Sequence, residues 1–209
     1  MNIDSSFDYL LKIIIVGDTG VGKSNFLFRF VENKFSRAYR ATVGLDLKTK
    51  ICIIPKAKKK VKLVLWDTAG QERYMSLNKL YFQKVQGIIL MYDITKRESF
   101  KNLTKWVQLI NESAPFVPLV LIGNKLDDEE ENRIVRTEEG KAFANENGYL
   151  FYESSALNGK NVNNAIYDLS DIIISSLEKS MNMNVSETTL ENFPFDAKKK
   201  AQTRNERCC

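Results

Sequence analysis

Short hydrophobic runs alternate along this chain with longer segments in which hydrophobic residues recur at helical spacing. The short runs, rich in β-branched residues, are typical of strands buried on both faces of a sheet. The predicted strands are residues 10–17, 45–55, 61–66, 87–94, 118–124 and 149–156. The predicted amphipathic helices are residues 23–35, 98–113, 136–148 and 161–180.

Strands that alternate with helices of this length indicate a mostly parallel sheet with helices on both faces. The second and third predicted strands are separated only by the turn "PKAKKK", so they can form a hairpin with one antiparallel strand. We therefore predict a doubly wound α/β fold with a mostly parallel six-stranded sheet. In such folds, ligands bind beyond the carboxyl ends of the strands.

The periodicity ends near Ser180. Residues beyond this point contain few hydrophobic positions, and they end in "RNERCC". We therefore predict a folded domain over residues 1–180 and a flexible tail over residues 181–209.

Composition narrows the function classes. Hydrophobic residues make up 44% of the chain and charged residues 27%. No hydrophobic run approaches the roughly 18 residues of a membrane span, so we expect a soluble protein. The chain has no histidine, which excludes Ser-His-Asp and Cys-His catalysis and histidine-ligated zinc. Its three cysteines do not form a disulfide framework, which favours a reducing compartment.

The segment "GDTGVGKS" directly follows the first predicted strand and opens the first helix. This spacing and context are typical of a phosphate-binding loop, in which backbone N–H groups and the helix N-terminus surround a phosphate. Lys23 would contact the β- and γ-phosphates, and the Ser24 hydroxyl would bind Mg²⁺. The alternative is an ordinary glycine-rich turn between a strand and a helix. The residues predicted to line the loop are Gly17, Asp18, Thr19, Gly20, Val21, Gly22, Lys23, Ser24 and Asn25.

The segment "WDTAGQERY" follows the third predicted strand. Asp67 is placed to hold Mg²⁺, commonly through a water molecule. Gly70 would let its N–H approach the γ-phosphate, and Gln71 would orient an attacking water. Taken alone, "DTAG" is equally compatible with a capped turn.

Two further polar segments, "GNKLD" and "ESSAL", follow the last two strands. A carboxylate at Asp127 can accept hydrogen bonds from the N1–H and 2-amino groups of guanine, and a site left with an unpaired carboxylate would reject adenine. Asn124 and Lys125 would support this site. In the last segment, Ala156 would offer its N–H to guanine O6, with Ser155 and Leu157 beside it.

With these motifs in this order, the chain resembles the Ras superfamily of small GTPases, and most of all the Rab family. The resemblance spans about residues 7–178 and implies the small GTPase fold with bound GTP or GDP and Mg²⁺. It implies that Thr42, in "YRATVG", binds Mg²⁺ together with the γ-phosphate, and that Phe35 packs on the guanine.

The resemblance also implies a membrane-bound switch in vesicle trafficking, with slow intrinsic GTP hydrolysis. The implied partners are an exchange factor, a GTPase-activating protein, a GDP-dissociation inhibitor, an escort protein and GTP-dependent effectors. The implied location is the cytoplasmic face of intracellular membranes, with a cytosolic pool. The chain differs from the usual Rab pattern at Leu47, at "YFQKV" (81–85) and in the lysine-rich turn.

Leu47, Trp66 and Tyr81 are predicted to form the effector surface, although Trp66 is equally compatible with core packing. Two other functions share the phosphate loop: a P-loop kinase or ATPase, and a nucleotide-binding scaffold without turnover. Nucleic-acid binding is suggested only by Lys56 and Lys58–Lys60 in the turn, and we expect no nucleic-acid partner because such a cluster is typical of a solvated turn.

The terminal Cys208 and Cys209 do not fit the C-a-a-X prenylation pattern. In a Rab-like chain, a Cys-Cys end implies a geranylgeranyl group on each cysteine. Two lipid chains anchor a protein stably, whereas one binds only marginally. Basic residues upstream, in "KKKAQTRNER", would add attraction to an anionic membrane.

Overall fold

The computed structural model describes residues 6–37, 42, 44–68 and 81–190, with side chains as far as Met181. Six strands form one sheet in the order β2-β3-β1-β4-β5-β6. The strands are β1 (Tyr9–Val16), β2 (Leu45–Ile54), β3 (Lys59–Thr68), β4 (Gly87–Asp93), β5 (Leu119–Asn124) and β6 (Leu150–Ser154). The predicted six-stranded α/β sheet is therefore confirmed.

The β2–β3 hairpin supplies the antiparallel strand of the sheet. β2 pairs with β3 from Leu45 opposite Thr68 to Ile54 opposite Lys59, and the other neighbouring strands run parallel. The turn is closed by a hydrogen bond from the Lys58 N–H to the Ile54 carbonyl (2.8 Å). As predicted, this hairpin places one antiparallel strand at the edge of the sheet.

The helices connect these strands as the periodicity predicts, with differences at their ends. They are α1 (Lys23–Glu32), α2 (Arg97–Lys101), α3 (Leu103–Ser113), α4 (Glu129–Asn132), α5 (Thr137–Asn147) and α6 (Val162–Leu190). A short 3₁₀ helix covers Leu126–Asp128. This turn and α4 are not predicted, because they are too short to show a hydrophobic period.

Two of the predicted helices are interrupted or end earlier in the structure. The predicted helix 98–113 is split at Asn102 into α2 and α3. The Asn102 side chain donates a hydrogen bond to the Asp18 carboxylate (2.8 Å), so this residue serves a tertiary contact at the break. The helix predicted over 23–35 ends at Glu32, because Asn33 adopts a left-handed conformation (φ 54°) that terminates it.

The chain divides into two units, one ending at Ser175 and the other beginning at Ser176. In the second unit, the described residues continue α6 to Leu190, ten residues beyond the predicted end at 180. No helix among the described residues has the length and hydrophobicity needed to span a membrane. The functional site described below belongs to the first unit.

The centre of the sheet forms the core. Every residue of β4 and β5 is buried, as the continuous hydrophobic runs predict. Tyr92 of β4 is buried completely, and its ring packs edge-on against Phe100 (centroids 5.1 Å apart). Its hydroxyl lies where a Cβ atom on Gly123 or on Gly140 would come within 2.7 or 2.3 Å of it. Two glycines, one in β5 and one in α5, therefore make room for this ring.

We expect Gly140→Ala to destabilise the fold by about 1–3 kcal/mol, because the added methyl overlaps a tightly packed ring. Helix propensity alone would favour alanine over glycine by about 1 kcal/mol. A fall in the free energy of unfolding would therefore report the packing and not the propensity. Urea unfolding of Gly140→Ala, Tyr92→Phe and the double variant measures the coupling. A smaller cost of Gly140→Ala in the Tyr92→Phe background is expected. Exposed Ala142→Gly serves as the propensity control, and an unchanged cost in the double variant would contradict this packing.

Candidate functional site

The predicted motifs meet at one edge of the sheet. The loop 17–22 follows β1, Asp67 lies near the end of β3, Asn124 ends β5, and Ser155 follows β6. The carboxyl ends of these strands lie side by side because the strands are parallel. The structure thus brings together segments that lie far apart along the chain.

The loop between β1 and α1 has a backbone that requires glycine at two positions. Gly17 has φ +138°, and a Cβ atom there would lie 2.1 Å from the Met91 carbonyl oxygen. Gly22 has φ +102°, and its Cβ would lie 2.3 Å from the Asn124 amide nitrogen. At both positions a side chain is excluded by the positive φ angle and by the neighbouring atoms that it would overlap. The loop, with Thr19, Gly20 and Val21, leads directly into the N-terminus of α1.

Lys23 places a buried ammonium group inside this loop. It is 5% exposed, and its Nζ donates to the carbonyls of Gly17 (2.7 Å) and Asp18 (2.9 Å). Burial lowers the pKa of Lys23 to about 8, against the opposing attraction of Asp67 and Asp18. A buried cation of this kind is stabilised by an anion, so the loop is suited to a phosphate.

Three oxygen-bearing side chains converge beside Lys23. The Ser24 Oγ and Thr42 Oγ1 atoms lie 2.9 Å apart, and Thr42 Oγ1 lies 3.5 Å from Asp67 Oδ2. Burial raises the pKa of Asp67, and its Oδ1 is buried with no hydrogen-bond partner in the described part of the chain. Hydroxyl and carboxylate oxygens are the ligands that Mg²⁺ prefers. The set predicted to bind Mg²⁺ therefore fits a divalent cation.

Asn124 links the phosphate loop to the segment after β6. Its Nδ2 donates to the Val21 carbonyl (2.9 Å), and its Oδ1 accepts from the Ser154 hydroxyl (3.2 Å) and the Ala156 N–H (3.3 Å). The residue is 1% exposed, so its amide is satisfied by protein groups. This geometry supports the predicted supporting role of Asn124.

Lys125 and Asp127 extend the site beyond the end of β5. Lys125 adopts a left-handed conformation (φ 72°), and its Nζ pairs with Asp93 Oδ2 at 2.5 Å. Asp127 accepts a hydrogen bond from the Ser155 hydroxyl. The predicted guanine set therefore lies in two neighbouring segments that are joined by the pairs Asn124–Ala156 and Asp127–Ser155, with Lys125 held by Asp93 and Leu157 following Ala156.

Asp93 is a further residue of this site, and it was not predicted from the sequence. Its carboxylate is fully buried at the end of β4 and accepts from the Thr95 N–H (2.9 Å) and hydroxyl (2.7 Å). Its other oxygen pairs with Lys125. An aspartate that ends a wholly hydrophobic strand, as in "ILMYD", was the available signal.

The predicted aromatic partner of the base, Phe35, lies just after α1. The neighbouring Ser36 is held by the Asn25 side chain, which donates to its carbonyl (3.0 Å) and accepts from its N–H (3.2 Å). Phe35 itself is partly buried. Asn25 thus positions this segment relative to the helix that follows the phosphate loop.

A second missed residue is Arg29, in the last turn of α1. Its Nε donates to the Ala156 carbonyl (2.9 Å), and its Nη2 donates to the Leu157 carbonyl. In the sequence, Arg29 has the spacing of an ordinary solvent-facing helical residue, and no local motif marks it. Only the tertiary structure shows that it reaches the segment after β6.

Two of the predicted effector residues, Leu47 and Trp66, lie opposite each other in the sheet, and Tyr81 lies beside Trp66. Leu47 lies opposite Trp66 in the β2–β3 register and is 54% exposed. Trp66 is half-buried, with its ring centroid 6.5 Å from that of Tyr81 and 3.7 Å from Lys12 Nζ. Trp66 and Tyr81 also pack against the core. Trp66 is therefore both a core contact and part of the predicted effector surface.

Four predicted functional residues lie outside the described residues. They are Gly70, Gln71, Cys208 and Cys209. Their roles stay predictions.

Comparison with known proteins assigns the chain to a family. The Ras family model matches residues 12–175. The chain is 44% identical over 176 residues to Ras-related protein SEC4 of Saccharomyces cerevisiae, covering 84% of this chain and 80% of that protein. It is 42% identical over 184 residues to Ras-related protein Rab-3B of Mus musculus (88% and 83%) and 41% identical over 179 residues to Ras-related protein Rab-3C of Bos taurus (85% and 78%).

Asp67→Asn is expected to raise the Mg²⁺ concentration needed to retain bound nucleotide by about 10- to 100-fold, because it removes the only carboxylate of the convergent set. The measurement is the dissociation rate of a fluorescent GDP as Mg²⁺ is titrated. Asp46→Asn is the matched control, because Asp46 lies opposite Asp67 in the β2–β3 register and has an exposed side chain. Equal Mg²⁺ dependence in the two variants would exclude Asp67 from the cation site.

Proposed function

The chain belongs to the Ras family, among its Rab small GTPases, and from this we propose that it cycles between GTP and GDP states to regulate vesicle trafficking on membranes. It is a GTPase, and Ras-family GTPases in general bind GTP or GDP with Mg²⁺. This membership argues against the alternative of a P-loop kinase or ATPase.

The single observation that carries the proposal is the hydrogen bond between the Asn124 amide and the Val21 carbonyl. It joins the loop suited to phosphates to the segments that carry the guanine set. A ligand that contacts both sides must have phosphates at one end and a base at the other. A guanine nucleotide has this shape and chemistry.

At the phosphate end, Lys23 would place its charge on the β- and γ-phosphates, with the loop N–H groups around them. Ser24, Thr42 and Asp67 would hold Mg²⁺, directly or through water. When bound, this ion neutralises negative charge on the β- and γ-phosphates. Thr42 can take this position only when its segment is close to the phosphates, which links its placement to the γ-phosphate.

At the base end, Asp127 would accept hydrogen bonds from the N1–H and 2-amino groups of guanine. The Ser155 hydroxyl already donates to this carboxylate and fixes its orientation. Adenine offers neither donor pattern, so this carboxylate, once covered by the base, would lack both of these hydrogen bonds. Phe35 would cover one face of the base, and the aliphatic stem of Lys125 would lie along it.

We propose that Gln71 orients the water that attacks the γ-phosphate, while Gly70 contacts the γ-phosphate through its N–H. Among the described residues, the hydrogen bonds of the arginine side chains go to other segments, and none holds an arginine at the phosphate loop for the developing charge. A partner that supplies one is expected to accelerate hydrolysis by roughly 10³–10⁵-fold. After hydrolysis, Thr42 and Gly70 lose their contacts, and the surface around Leu47, Trp66 and Tyr81 changes for effectors.

We propose further that Cys208 and Cys209 each carry a geranylgeranyl group and that residues 181–209, which begin with the last turns of α6, connect these lipids to the folded domain at 1–180. An escort protein would deliver the chain for lipid attachment, and a GDP-dissociation inhibitor would hold the cytosolic pool. An exchange factor would return the switch to its GTP state. The proposed location is the cytoplasmic face of intracellular membranes.

The purified protein is expected to bind GTP, to show no competition by ATP, and to hydrolyse GTP in a single turnover. Gln71→Leu is expected to slow this step about tenfold or more while GTP still binds, because the attacking water loses its acceptor. The measurement is single-turnover GTP hydrolysis with chromatography of the nucleotides. Gln83→Leu makes the same chemical change at an exposed position. Equal rates in the two variants would refute the role of Gln71.

Replacing both terminal cysteines by serine is expected to move the protein from membranes to the cytosol, because binding then rests on the basic tail alone. The measurement is fractionation of cells that carry the prenylation machinery, together with GDP binding by the recovered protein. Cys52→Ser in β2 is the matched control and should leave membrane binding unchanged. A doubly substituted protein that stayed on membranes would show that the anchor lies elsewhere.

A further inference from the structure

Arg29 connects the end of α1 to the segment after β6. Its Nε and Nη2 donate to the carbonyls of Ala156 and Leu157. Its Nη1 donates to the Asn33 carbonyl (2.9 Å) and lies 3.3 Å from Asn33 Oδ1. One guanidinium thus holds backbone oxygens from two segments that are more than 120 positions apart in the chain.

Both of these segments carry residues of the proposed base site. Ala156 offers its N–H to the interior of the site, where it makes a long hydrogen bond to Asn124 Oδ1 (3.3 Å). Asn33 ends α1 and precedes Phe35 by two positions. Arg29 therefore lies behind the base site and contacts its supports on both sides.

The geometry of arginine matters for this arrangement. A planar guanidinium presents five N–H donors in a fixed fork, so it can bind several carbonyls while fixing their relative positions. A lysine would offer a single mobile charge. Fixing the carbonyls of Ala156 and Leu157 fixes the peptide plane that joins these two residues. The Ala156 N–H lies in the adjacent peptide plane, before Ala156, so its direction is restrained as well.

The Asp127 side of the site is held differently. Its carboxylate is oriented by the Ser155 hydroxyl, and Lys125 is held by Asp93. The hydrogen bonds of Arg29 described above go to Ala156, Leu157 and Asn33. A change at Arg29 should therefore disturb recognition of the guanine O6 edge more than recognition of its N1–H and 2-amino edge.

We propose that Arg29 is a positioning residue for guanine: by holding the Ala156 and Leu157 carbonyls it places the Ala156 N–H for guanine O6 and so slows nucleotide dissociation. This inference rests on the proposed function, because it assumes a guanine nucleotide at the site. Arg29 lies outside the phosphate loop and outside the two base-recognition motifs. It would act on the base through guanine O6.

The test measures dissociation rates of three Mg²⁺-bound nucleotides from the full-length chain. GDP carries the complete base, inosine diphosphate lacks the 2-amino group, and 6-thio-GDP replaces O6 by a sulfur that accepts hydrogen bonds weakly. Each is labelled on the ribose and displaced by excess GTP. The variants are Arg29→Met, which keeps an unbranched apolar stem, and Arg29→Lys, which keeps the charge without the fork.

Arg29→Met is expected to accelerate GDP dissociation by about tenfold, because it removes charged hydrogen bonds that support the O6 contact. The ratio of 6-thio-GDP to GDP dissociation rates should fall towards one in this variant. The ratio of inosine diphosphate to GDP rates should remain that of the unmodified protein. The GDP dissociation rate of Arg29→Lys should lie between those of the unmodified protein and Arg29→Met.

The matched control is Lys34→Gln, which removes a cation from the same end of α1, where its Nζ lies 3.9 Å from Glu32. It should dissociate all three nucleotides at the unmodified rates. Equal acceleration of all three nucleotides by Arg29→Met would indicate general loosening of the fold and would overturn the positioning role, as would a GDP rate within about twofold of normal. Failure of the unmodified protein to bind GDP would instead overturn the proposed function itself.

Discussion

The arrangement of this site depends on the hydrogen bonds of the Asn124 side-chain amide. A buried primary amide must find partners for its donors and acceptor, because leaving them unpaired costs about 1–3 kcal/mol for each group. Asn124 finds them on the phosphate loop, at the end of β6 and in the segment that follows. The positions of these three segments are therefore coupled to one side chain. Gly22 is part of the same constraint, because any larger residue would displace that amide.

The site concentrates charge that the fold alone compensates only partly. Lys23, Asp67 and Asp93 are all buried at the carboxyl edge of the sheet. Asp93 is paired with Lys125, whereas Lys23 relies on two carbonyls and nearby carboxylates, and one oxygen of Asp67 has no partner among the described residues. A phosphate and a divalent cation would compensate the last two. Binding would therefore stabilise the folded chain as well as occupy the site.

Most of the fold and the main motifs could be predicted from the sequence, for identifiable reasons. Continuous hydrophobic runs marked β4 and β5, and the phosphate loop has a spacing whose glycines are required by backbone geometry. Arg29 was not predicted because its partners Ala156 and Leu157 are distant in the chain, and Asp93 was missed although its place at the end of a hydrophobic strand was visible in the sequence. The break at Asn102 was missed for the same reason: hydrophobic periodicity continues across it, and only its bond to Asp18 shows a tertiary constraint.

That bond belongs to a small group with an evolutionary consequence. The Asp18 carboxylate accepts from the Asn102 amide (2.8 Å) and from the Trp106 indole N–H (2.9 Å), and Trp106 is 1% exposed. Loss of Asp18 would leave a buried indole donor without its acceptor, and loss of Trp106 would leave a cavity beneath the loop. Neither change is easily tolerated alone. Among relatives, residues at positions 18, 102 and 106 should therefore be inherited together and replaced together, so that this loop and α3 diverge as one unit.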